Sequence, residues 1–250
     1  MKKETQEQPS SLVETGNPNE DKRFKTITDL VRQRVEELGF NFSSFDNFVI
    51  IQPRANQDDV DNATSDFDES QSHFTLRVDK LHDPRMLSIY YTAALLQFQI
   101  QPTEFKSDKG IARNSVRKGF EMDVQIDGLI DGTVGEEFNT TILYVLGKGI
   151  IEQVQAYDDE GISSTSSYYY VAKRFCAVLG EDRILAALIG STEDYSALIQ
   201  VFDEVSKKGK QSSNEIQYYS FFNEVNKMPQ DDVVKAKEIT DRYFGSEKEI

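Results

Sequence analysis

The 250-residue chain is long enough to bury one sizeable core, or a core with a helical appendage. Hydrophobic residues make up 38%, aromatics 11%, and the formal net charge is -15, which excludes a disordered chain and argues against nucleic-acid binding through phosphates. The basic stretches, Arg113, Arg117 and Lys118 and the run SKKGK at 206–210, are short and lack stacking aromatics, so they read as solvated turns. The single cysteine, Cys176, excludes an intrachain disulfide and points to a reducing compartment. With no apolar run of signal-peptide or membrane-spanning length, the expected location is the cytoplasm, away from any membrane.

In chain order, residues 1–21 are polar and proline-containing and read as a disordered tail. Phe24, Ile27, Leu30, Val31, Val35 and Leu38 then repeat at three and four, which predicts a helix with Gly39 as a left-handed cap. NFVIIQ (47–52) fits a strand, 54–72 an exposed acidic loop, and FTLRVDK (74–80) a half-buried strand. From Asp83 and Pro84 to Pro102 the apolar residues leave no polar side, so a helix over about 85–100 is expected to be buried all round. Met122, Val124 and Ile126 alternate as a further strand. Beyond Phe138 the pattern is helical: about 138–155, then from the serine-rich turn at 163–167 to Gly180, then 181–189, 193–207, 214–227 and 231–244. This divides the chain into a tail (1–21), an α/β part with the acidic loop 54–72 (22–137) and a helical part (138–250) packed as one unit with it.

Catalytic signatures are absent from the sequence. His73 and His82 flank a strand and are too far apart for the i, i+4 pairing of a helical zinc motif. DDVDNATSDFDES fails as a calcium loop, since an EF-hand begun at Asp59 places Ala63, Thr64 and Ser70 where a ligand, a glycine and a glutamate belong. GLIDGTVG (128–135) is no phosphate-binding loop, and Cys176 falls within the apolar run YYYVAKRFCAVLG as a small core residue.

The order of parts, with LGKGIIEQV (146–154) in the second core helix and VLGED (178–182) closing the next, resembles the bacterial gluzincin branch of the zincin metallopeptidases. The resemblance implies an α+β fold: a short β-sheet with a buried core helix, followed by a mostly α-helical C-terminal half. In that family the first core helix carries H-E-x-x-H, and the second supplies a further zinc ligand from N-E-x-x-x-E or a close relative. Here Tyr90, Tyr91 and Ala94 take the H-E-x-x-H positions, and Gly147 and Lys148 replace the asparagine and ligand glutamate, leaving Glu152. The resemblance thus implies no catalytic residue, no metal ligand and no cofactor. It implies a relict cleft at Tyr90, Tyr91, Ala94, Lys148 and Glu152 that binds a protein or peptide partner. Two alternatives stand beside it. One is an acidic interaction protein unrelated to zincins, mimicking nucleic acid or docking a basic partner. The other is an active hydrolase built on His73, His82 and nearby acids.

Overall fold

A computed structural model describes the backbone over residues 18–43, 47–53, 64–68, 73–78, 84–101, 103–105, 115–126, 129–134, 136–152, 166–206 and 217–246. Side chains are described over 18–19, 21–43, 87–101, 119–120, 138–152, 166–206 and 217–246. Residues 1–17 of the expected tail, residues 54–63 and 69–72 of the acidic stretch, and His82 lie outside the described residues. The chain divides into two compact units, 1–95 and 96–250. The division falls inside the second helix.

The first unit contains α1 (Pro18–Glu37), β1 (Asn47–Pro53), β2 (Thr64–Asp68), β3 (His73–Val78) and most of α2 (Pro84–Gln99). Proline opens both α1 and α2, where its missing N–H leaves no helical bond unmade and its fixed φ suits the first turn. The helix α1 therefore starts at Pro18, inside the stretch whose composition suggests a tail. It ends in the expected cap: Gly39 has φ +85°, its N–H donates to the Glu36 carbonyl (2.9 Å), and the Phe40 N–H donates to Val35 (3.2 Å). This paired arrangement satisfies two carbonyls that the last helical turn would leave open. The buried face of α1 is Phe24, Ile27, Thr28, Val31 and Val35, four of the six residues of the three-and-four repeat plus one threonine, while Leu30 and Leu38 are half-buried.

The second unit runs through β4 (Thr103–Phe105), β5 (Ser115–Lys118), β6 (Glu121–Ile126) and β7 (Leu129–Val134) into the helices. These are α3 (Glu136–Glu152), α4 (Ser167–Leu179), α5 (Glu181–Ile189), α6 (Thr192–Val205), α7 (Gln217–Asn226) and α8 (Val233–Phe244). Two of the helix starts carry side-chain caps. Ser191 closes a capping box ahead of α6, its hydroxyl accepting from the Glu193 and Asp194 N–H groups while the Asp194 carboxylate accepts from Ser191 N–H at 2.8 Å. Asp232 caps α8 by accepting from Lys235 N–H at 2.8 Å.

The expected α+β architecture, with a short β-sheet carrying the buried core helix on a zincin-like plan, is corrected by the composition of the interior. Of the residues whose side chains are described, 82% are helical and none belongs to a strand or sheet. The strands traced by the backbone form two small separate sheets, ordered β1-β3-β2 and β4-β5-β6-β7. In the first, β1 runs parallel and β2 antiparallel to β3; β2 recruits TSDFD from the acidic stretch 54–72. The physical reason for the correction lies in the helices themselves. The described part of α2 is buried over most of its length, with Gln97 exposed, and other helices can supply apolar surface as well as a sheet does.

The interior of the second unit is an aromatic cluster drawn from all along its sequence. Phe175 of α4 stacks on Phe221 of α7 (5.8 Å, 14°) and meets Phe138 of α3 edge-on (5.3 Å, 87°). Phe202 of α6 lies 5.2 Å from Phe221, and Phe244 of α8 lies 5.5 Å from it. Phe120, in the two-residue turn between β5 and β6, reaches into the same cluster and meets Phe175 edge-on at 5.7 Å. Edge-to-face and offset pairs at these separations add about 0.5–1.5 kcal/mol each beyond the area they bury.

Candidate functional site

The five cleft positions anticipated from sequence fall into both units. Tyr90, Tyr91 and Ala94 are in the first; Lys148 and Glu152 are in the second. In the first unit Tyr90 is half-buried, whereas Tyr91 and Ala94 are buried. The Tyr91 ring lies 4.6 Å from that of Phe24, and its hydroxyl is 2.8 Å from Thr28 Oγ1. Thr28 has one hydroxyl proton and donates it to the Phe24 carbonyl at 2.9 Å, so in the Tyr91 pair it is Tyr91 that donates. Burial pushes the Tyr91 phenol well above its ordinary range, and the Thr28 bond only partly opposes that shift. Tyr91 is a neutral donor locked between α1 and α2.

In the second unit Lys148 is 8% exposed, and its Nζ lies 3.5 Å from Glu152 Oε1 one turn on. The Glu152 side chain is 45% exposed, and a pair with one partner in water contributes less than about 1 kcal/mol. Lysine preceding glutamate is also the weaker order of an i, i+4 pair. What the position gains is reach: the apolar stem lies along buried surface while the ammonium meets its carboxylate partner one turn on.

The adjacent Gly149 has a separate cause. A Cβ built on it would stand 2.8 Å from a carboxylate oxygen of Glu181, the first residue of α5. The sequence G-K-G thus reads as a notch in α3 through which the Glu181 side chain approaches the helix backbone. Glu181 also acts on Cys176, the free thiol of α4. Burial first, and the Glu181 charge second, push that thiol far above its ordinary range, so it stays protonated.

These groups do not fit the zinc that a catalytic gluzincin holds between its two core helices. Ala94 has no donor atom, Tyr91 spends its neutral hydroxyl on Thr28, and Lys148 presents a cation beside Glu152. Among the described residues no group of three His, Cys, Asp or Glu side chains could hold a metal ion. The side chains of both histidines lie outside the described residues.

Two further residues escape the sequence reading. Arg174, 7% exposed, donates from Nη2 to the Gly245 carbonyl at 2.8 Å, just past the end of α8. The partial negative charge of a helix C-terminus is the environment in which a buried guanidinium is tolerable. A cation inside the apolar run YYYVAKRFCAVLG is the signal that could have found it, although its partner lies 71 residues away. Asn139 is the second: its side-chain oxygen accepts from the Phe120 N–H at 3.0 Å, holding that turn against α3. The turn leaves little choice at Gly119, whose φ is +66° and whose Cβ would stand within 2.4 Å of Asn139 Oδ1.

No protein-family model, curated protein or solved structure matches this chain. Among the described residues no helix is long and apolar enough to cross a membrane.

Proposed function

We propose that this is a non-catalytic protein of the cytoplasm that works by binding a protein or peptide partner. The observation that carries the reading is how the chemically capable side chains are used. Tyr91 is held neutral by burial and bonded to Thr28, Cys176 is held as a buried thiol, and Lys148 and Arg174 are turned toward a carboxylate and a helix end within the fold. A nucleophile or general base instead has to reach a substrate with its reactive atom unspent, at a pKa matched to the working pH. The zincin plan is not required for this proposal. The free cysteine supports the reducing compartment.

The net charge of -15 favours a second, more specific reading, in which the partner is basic and charge supplies much of the recognition. Titrating the purified full chain with an oligo-arginine peptide by isothermal titration calorimetry separates the readings. The charge-directed reading expects binding at low salt that weakens roughly tenfold or more by 0.5 M salt. No binding at low salt, or an affinity indifferent to salt, overturns it. Stoichiometric zinc in the purified chain together with a chelator-sensitive peptidase activity overturns the non-catalytic reading itself.

A further inference from the structure

We draw no further inference here: the strongest candidate, the buried guanidinium of Arg174 between α4 and α8, is already spent on the α8 C-terminus through its bond to the Gly245 carbonyl, and nothing in the structure shows a ligand that would reach its remaining Nε.

Discussion

The two units bury their interiors by different means. In the first, α1 and α2 meet where the Phe24 and Tyr91 rings lie 4.6 Å apart, and the polar pair Thr28–Tyr91 joins the same two helices. In the second, rings from α3, α4, α6, α7, α8 and the β5–β6 turn pack on one another around Phe175. A directional hydrogen bond specifies one arrangement cheaply, whereas a set of interlocked rings is stable but depends on every volume being filled.

If that contrast is right, the largest effect of a single substitution belongs to the second unit. Phe175→Ala is expected to cost about 3–5 kcal/mol in a urea melt, because the neighbouring rings cannot all close on the space left. Arg174→Ala should come next, at about 1.5–3 kcal/mol, the usual size of a hydrogen bond to a charged group. A cost near zero would mean that the bond to the Gly245 carbonyl contributes little.

In the first unit Tyr91→Phe keeps the ring and removes only its donor, so about 0.5–1.5 kcal/mol should be lost. A double-mutant cycle with Thr28→Val then measures the pair itself. A coupling energy near zero would show that Tyr91 acts by volume alone, and that the two interiors are of one kind after all.

One effect has no expression at neutral pH. Tyr219 is pushed up to about 12, by burial first and by the charge of Asp203 second. A raised native pKa means that the fold holds the proton more tightly than the unfolded chain does. Its contribution is therefore complete below the unfolded value near 10 and is lost as pH rises toward 12. Urea midpoints measured up the alkaline limb should fall across that window, and a flat profile would contradict the burial of Tyr219.

Much of this organisation is legible in the sequence, because a helix announces its buried face locally. The repeat from Phe24 to Val35, the all-apolar Tyr90 helix and the stretch 181–189 correspond to α1, α2 and α5, with the cap at Gly39 in place. The sequence reading failed where the decisive neighbour is remote. Phe120 sits between Gly119 and Glu121 in a turn, so no periodicity marks it as core; only the arrival of Asn139, Phe138 and Phe175 makes it so. The alternating segments of the first half do form strands, yet alternation does not reveal whether a sheet or a set of helices furnishes the interior.

The candidate site repeats that lesson. Lys148 is legible as a cation out of place, and Glu152 as its neighbour on the helix, because i, i+4 geometry is local. The burial of Cys176 is legible in the apolar run around it, whereas the role of Gly149 and the charge beside Cys176 both depend on Glu181, which no spacing in the sequence encodes.

The central claim is that, among the described residues, Tyr91, Cys176 and Arg174 are committed to the fold, and Cys176 tests it most directly. Alkylation of the native full chain by iodoacetamide at pH 8–9, compared with the chain unfolded in urea, reads its thiolate character. The account predicts a native rate slower than the unfolded rate by about two orders of magnitude or more, as expected for a buried thiol whose pKa is raised well above pH 9. A native Cys176 alkylated as fast as the unfolded one, or faster, would contradict it.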